Sequence, residues 1–270
     1  MQFVSVNMND VCARPWAYAV EPFHIAPNLC YLGNSWVSIY LIDTGDGLVL
    51  IDTAMPQLTY LTLENMRVLG YDPKDIKLIL LSHAHYDHCG GAKQIKEYTG
   101  AKIYMGKEDL FFLQDRPELI TLDSNLPFAN FEVDQVYTEE PIVLGNTTIR
   151  AIHSPGHTPG TYSFFFNTEI DGKSYRAAMH GGLGVNTLTK EFLHKYNLPL
   201  SYQDDFEKNI LTLRDMPVDI PLGSHTNHGD MLGKYRRMKA GEQPNPFIDP
   251  TGFKEVLNAR YADFLKYCRD

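Results

Sequence analysis

Short runs of apolar residues recur along this chain with the β-branched and aromatic content of strands. They are Trp36–Ile42, Leu48–Ile51, Ile76–Leu81, Ile103–Met105, Thr148–Ile152, Tyr162–Phe166 and Val218–Leu222. Gly45-Asp46-Gly47 spaces the first two as a hairpin turn does. Pro221 confines the last run to a sheet edge or a strand end, because proline brings no N–H to a ladder. Helical spacing is clearest near the C-terminus, where Phe253, Val256, Leu257, Tyr261, Phe264, Leu265 and Cys268 share one face. Asp249 ahead of Pro250 predicts the start of that helix. Further helices are predicted over Pro56–Leu69, Ala92–Tyr98, Glu108–Gln114 and Tyr202–Arg214. Strands interleaved with helices in this order predict a layered α/β domain.

Length and charge narrow the class. The 270 residues carry no low-complexity stretch or linker. They read as a single domain over 1–270, with residues 1–20 as an N-terminal extension. Surface scaling lets such a chain bury roughly 73% of its unfolded surface, enough for a core without disulfides. The 24 basic and 33 acidic residues leave a net charge of −9 with no basic stripe, which argues against a nucleic-acid partner. No run approaches the roughly 18 apolar residues of a membrane span. Met1–Trp16 shows neither the basic start nor the apolar core of a secretion signal, so the expected compartment is the cytoplasm. The four cysteines, Cys12, Cys30, Cys89 and Cys268, have no CxxC spacing and read as inert thiols. Cys89 stands out because it follows a histidine cluster.

That cluster carries the chemistry. Ile76–Leu81 runs into Ser82-His83-Ala84-His85-Tyr86-Asp87-His88-Cys89-Gly90-Gly91. On an extended backbone, side chains at i and i+2 point the same way, so His83 and His85 are placed to grip one metal. Asp87 and His88 are expected in the following loop, turned towards a second metal. Zinc favours such imidazole and carboxylate ligands. Two more histidines stand where strands should end: His157, within Gly156-His157-Thr158-Pro159-Gly160, and His225, after Val218–Leu222. Five imidazoles and one carboxylate suit two zinc ions, which together lower the pKa of a shared water from about 15.7 towards about 7. His24, His153, His194 and His228 are assigned to packing, capping or the surface.

These motifs resemble the metallo-β-lactamase superfamily. Finer segments are similar to its subclass B-three of zinc β-lactamases: Pro22-Phe23-His24-Ile25, Tyr31-Leu32-Gly33, Val37–Leu41, Leu48-Val49-Leu50-Ile51-Asp52-Thr53 and Asn245-Pro246-Phe247-Ile248-Asp249-Pro250. The resemblance spans about Pro22 to Pro250. It implies an αββα sandwich with two zinc ions at one edge of its sheets, the first held by His83, His85 and His157, the second by Asp87, His88 and His225. It also implies a hydrolase that opens an amide or ester in a small molecule, β-lactam-like, by a metal-bound hydroxide that Asp87 orients. A lactone or thioester substrate is the alternative. A di-iron redox protein is a further one, against which His85 stands, because iron-binding relatives carry a carboxylate there. A non-catalytic zinc protein is the last. The chain departs from the family at Ala178-Met179-His180-Gly181-Gly182-Leu183, where neither a bridging Asp or Cys nor the usual serine stands. His180 is expected outside the ligand shell, bonded to a ligand such as Asp87 or to water.

Overall fold

A computed structural model of the chain describes residues 7–122 and 124–269. Residues 1–6 of the predicted N-terminal extension lie outside the described residues. Twelve strands build two sheets. The first holds β1 (Phe23–Ala26), β2 (Leu29–Tyr31), β3 (Tyr40–Asp43), β4 (Leu48–Ile51), β5 (Ile76–Leu80), β6 (Lys102–Met105) and β7 (Gln135–Val136), in that spatial order. The second holds β8 (Ile142–Leu144), β9 (Thr147–His153), β10 (Tyr162–Ile170), β11 (Lys173–Met179) and β12 (Ile220–Leu222), ordered β12-β11-β10-β9-β8.

Three cores show how the layers stack. Alternate residues of a strand face opposite ways, so Tyr40 and Ile42 of β3 meet Phe164 and Phe166 of β10 between the sheets. Leu41 points outward into a core shared with Leu58, Met66 and Ile95 from helices over Pro56–Val68 and Ala92–Thr99. Phe165 points outward on the other side, against Phe206 and Phe253 from helices Ser201–Leu213 and Gly252–Phe264. The order helix, sheet, sheet, helix is the αββα sandwich. Among the described residues no helix is long and apolar enough to cross a membrane.

The predicted elements are present with informative shifts. The strand expected over Trp36–Ile42 begins only at Tyr40. Its first residues cross to the other sheet instead: Val37 bridges His225, Ser38 N–H donates to Ser224 O at 3.0 Å, and Thr226 N–H donates to Trp36 O at 3.0 Å. Strand β12 lies at a sheet edge, as Pro221 requires. The C-terminal helix starts at Gly252 rather than at Pro250. The Asp249 carboxylate still reaches Gly252 N–H at 3.0 Å, but it also pairs with Lys234 at 2.8 Å, which holds Asp249 and Pro250 outside the helix. Strands β1 and β2 were hidden in a charge-free run, where Pro27-Asn28 forms the turn between them.

Candidate metal centre

Strands β4, β5, β11 and β12 all end at one edge of the sandwich, where the candidate residues gather. After β5 the chain passes His83, reaches His85 in extended backbone, and then makes a helical turn over Tyr86–Cys89. Asp87 and His88 therefore sit on this turn and not in a loop. It is closed by Gly90 N–H donating to Tyr86 O at 3.0 Å, a bond that an irregular loop lacks. His157 follows β9 in its Gly-Pro turn, and His225 follows β12.

The structure draws these six residues into two groups, His83, His85 and His157 in one and Asp87, His88 and His225 in the other. Within each group the candidate donor atoms lie within 4.8 Å of one another. The His83 and His88 rings are 4.2 Å apart, so the groups adjoin. Across the first group His85 Nδ1 approaches His157 Nε2 at 2.9 Å, and across the second His88 Nε2 approaches His225 Nε2 at 3.2 Å. Tetrahedral zinc with bonds of about 2.0–2.1 Å separates neighbouring nitrogens by about 3.3 Å.

Partners behind the rings fix the tautomers. His83 Nδ1–H donates to Ser82 Oγ at 3.0 Å, and that hydroxyl donates to Asp52 Oδ2 at 2.8 Å. His88 Nδ1–H donates to Asp52 Oδ2 at 2.8 Å, and His157 Nδ1–H donates to Gly184 O at 2.7 Å. Each ring is left with its Nε2 lone pair facing the cluster. His83 Nε2 and His225 Nδ1 are buried without any hydrogen-bond partner. The bare His88 Nε2 lies 3.5 Å from the Asp87 carboxylate, as does His225 Nε2. Lone pairs gathered on a carboxylate repel unless a cation lies between them, so the donor set fits a pair of dications.

The electrostatics agree for four of the five rings. Burial, reinforced by neighbouring imidazoles, holds His83 and His85 well below the ordinary histidine range, and burial pulls His157 and His225 down to about 4. Burial also pulls on His88, but the charges of Asp87 and Asp52 and the bond to Asp52 outweigh it and raise this ring. Neutral imidazole is the ligating form.

Two buried carboxylates escaped the sequence reading. Asp52 stands in left-handed backbone at φ 60°, just past β4, where Asp is among the residues that tolerate this turn. The turn aims its carboxylate at Ser82 and His88. Asp109 accepts from Ala84 N–H at 2.9 Å, Gly160 N–H at 2.6 Å and the Thr158 hydroxyl at 2.8 Å. It ties the loop bearing His83 and His85 to the loop bearing His157. Burial pushes its carboxyl up to about 6 despite these donors. Asp52 carried one legible signal, an acid directly after an apolar strand. Asp109 carried none, because nothing local marks it.

The remaining candidates separate cleanly. His180 belongs to neither group: Nε2–H donates to Asn209 Oδ1 at 3.1 Å and Nδ1 accepts from Gly182 N–H at 3.3 Å. Both of its ring nitrogens are thus engaged away from Asp87. Cys89 packs in the core between the first sheet and its helices, and burial raises its thiol far above the ordinary range. His24 approaches Cys30 Sγ at 3.2 Å and His153 the Pro159 carbonyl at 2.8 Å, while His194 is exposed. His228, assigned to packing or surface, instead lines the site and lies 5.3 Å from the His225 ring.

A pocket of about 330 Å³ opens over the two groups. Met8, Trp36, Leu122 and Leu183 supply its apolar wall, and Ser224, Asn227, His228 and Arg260 its polar one.

The model of the metallo-beta-lactamase superfamily matches residues 35–169, half of the chain. The chain belongs to this superfamily. Over 95% of its length it superposes on BJP-1, a subclass B3 metallo-beta-lactamase of Bradyrhizobium japonicum, with a TM-score of 0.85, 31% identity and 96% of that chain covered. LRA-12, described as a class B3 di-zinc metallo-beta-lactamase from an Alaskan soil metagenome, superposes at a TM-score of 0.82 with 27% identity, covering 94% of this chain and 96% of that one. By sequence the chain is 28% identical over 162 residues to an N-acyl homoserine lactonase of Bacillus thuringiensis. That match takes in 52% of this chain and spans only 61% of the lactonase.

Proposed function

We propose that this chain is a dizinc hydrolase that opens an amide or ester in a small molecule, with a β-lactam or a lactone ring as the substrate class. His83, His85 and His157 would hold the first ion, and Asp87, His88 and His225 the second. The carrying observation is the pair of adjoining groups whose lone pairs face inward while Ser82, Asp52 and Gly184 secure the rings from behind. When bound, two dications supply an activated water near neutral pH and a Lewis acid for the carbonyl oxygen.

The chain's own groups do the rest. Asp87 Oδ2, between His88 and His225 at 3.5 Å from each, orients the attacking water and takes its proton for delivery to the leaving atom. The apolar wall excludes bulk water from the reacting carbonyl. The pocket volume suits a small molecule, and five imidazoles with a single carboxylate support hydrolysis over di-iron redox chemistry.

Two readings of the substrate stand on different supports. Likeness to subclass B3 enzymes supports a β-lactam, and likeness to the lactonase supports a lactone. Arg260, the one Lys or Arg among the described residues lining the pocket, is already paired with Asp263 at 3.0 Å, so it does not decide between the two rings. Initial rates on penicillins, cephalosporins, N-acyl lactones and thioesters, taken with protein of measured zinc content, test the proposal. Two bound zinc ions and turnover of at least one ring are expected. Full zinc loading without turnover of any would overturn it.

A further inference from the structure

His157 is the one residue of the first group that reaches the site from the second sheet, so something must hold its loop in register with β5. His180 leaves the end of β11 and is buried. Its Nδ1 accepts from Gly182 N–H at 3.3 Å, which sets the turn that follows. That turn packs against the His157 ring. A Cβ on Gly182 would stand 2.7 Å from His157 Cδ2, and Gly184 O accepts the ring's Nδ1–H at 2.7 Å. In the other direction His180 Nε2–H donates to Asn209 Oδ1 at 3.1 Å. The Asn209 amide then donates to Ser154 O at 2.9 Å and to Pro155 O at 3.0 Å. These carbonyls directly precede Gly156, whose φ of +135° and contact with Phe206 leave no room for a side chain.

We infer that His180 and Asn209 form a clamp that positions His157, His180 setting the turn in front of the ring and Asn209 the strand end behind it. The inference rests on the reading of His157 as a ligand given above. His180 and Asn209 are positioning residues, and all four polar positions of the two side chains are used within the clamp. The arrangement replaces a direct ligand at this turn with a pair of side chains that act through His157.

The full chain is tested as His180→Ala, Asn209→Ala, Asn209→Asp and the double alanine variant. Zinc affinity is followed by chelator competition, and coordination geometry by cobalt(II) absorption. Each single variant is expected to weaken the first site by up to about 10-fold and to change its cobalt spectrum, the low end of the effect of groups bonded directly to ligating histidines, because these two act at one remove. The second site should change far less than the first. Asn209→Asp keeps an acceptor for His180 but lacks the hydrogens for Ser154 and Pro155, so it should fail as Asn209→Ala does. The double variant should lose no more than the worse single one, as members of one unit do. Leu213→Ala, a core truncation on the same helix, controls for lost stability and should keep both sites.

Unchanged affinity and spectrum in both Asn209 variants, or equal losses at both sites, would overturn the clamp. A metal-free readout separates it from the proposed function. The His157 Nδ1 proton bonded to Gly184 O should exchange slowly in the wild type by NMR and rapidly in the variants. Slow exchange retained in the variants would overturn the clamp whether or not metal binds. Failure of the wild type to bind metal would overturn the proposed function alone.

Discussion

Removing Asp109 should cost much of the fold's stability, and the cost can be worked from its partners. Its carboxylate accepts from Ala84 N–H, Gly160 N–H and the Thr158 hydroxyl, and the side chain is fully buried. In Asp109→Ala the backbone donors of Ala84 and Gly160 lose their acceptor at about 1–3 kcal/mol each, or about 2–6 kcal/mol together, while the Thr158 hydroxyl can turn to Thr161 Oγ1. A folded domain has about 5–15 kcal/mol in all, so this variant should be largely unfolded or strongly destabilised. Asp109→Asn keeps one oxygen for Gly160 and turns an amide NH₂ towards Ala84 and Thr158. Thr158 can reverse its hydroxyl, since its Oγ1 also lies 2.9 Å from Thr161 Oγ1. Ala84 N–H cannot reverse, which leaves one unmet donor worth about 1–3 kcal/mol. At about 2–4 °C per kcal/mol for a chain near this size, the melting temperature should fall by about 2–12 °C. The assay is thermal and urea unfolding at pH 8, paired with zinc affinity. Because all three partners lie on the loops bearing His83, His85 and His157, the first site should weaken before the second. Wild-type stability and first-site affinity in Asp109→Asn would refute the argument that this carboxylate joins the two loops.

Separate sites imply separable losses. His157→Ala should release mainly the first ion and His225→Ala mainly the second, read by elemental analysis after dialysis; loss of both ions from each variant would contradict two distinct sites. Asp87→Asn removes the carboxylate 3.5 Å from two ring nitrogens and should lower turnover about 10²–10⁴-fold with circular dichroism unchanged. Full activity with both metals bound would remove the role assigned to it. For the metal-free protein, burial lowers His157 and His225 from 6.5 to about 4, so the unfolded chain binds these protons more tightly. Their contribution, of order 3 kcal/mol each, is present above about pH 6.5 and is lost as pH falls towards 4. Urea midpoints that do not move between pH 8 and pH 5 would show that these rings are not held neutral by the fold.

Much of the site was legible because its chemistry is local. His83, His85, Asp87 and His88 fall within six consecutive positions after an apolar strand, and a run of that composition has no use in packing. Continuous apolar runs marked β4 and β10, which bury nearly all their side chains on both faces, while β9 alternates buried Thr147 and Ile149 with exposed Thr148 and Arg150. The edge position of β12 followed from one missing N–H at Pro221. The helical turn at Tyr86–Cys89 was not legible, since four residues show no period and it is defined by backbone bonds alone, from Cys89 to His85 O and from Gly90 to Tyr86 O.

What the tertiary structure alone decided is which distant residues stand behind the ligands. Asp52 meets Ser82 and His88 because β4 pairs with β5 in parallel, and Asp109 meets Ala84 and Gly160 because two loops from different sheets converge. His180 was expected outside the ligand shell, bonded to a ligand such as Asp87 or to water. Asn209, from a helix laid across the outer face of the second sheet, engages its Nε2–H instead. Residues 36–39 read as strand and crossed to His225, because a backbone group bonds with whatever edge packing brings alongside. Local pattern determines which groups can bind a metal or enter a sheet. The partners that fix their tautomer and direction come from chain segments tens of residues away, and only packing of the two sheets brings those within hydrogen-bond reach.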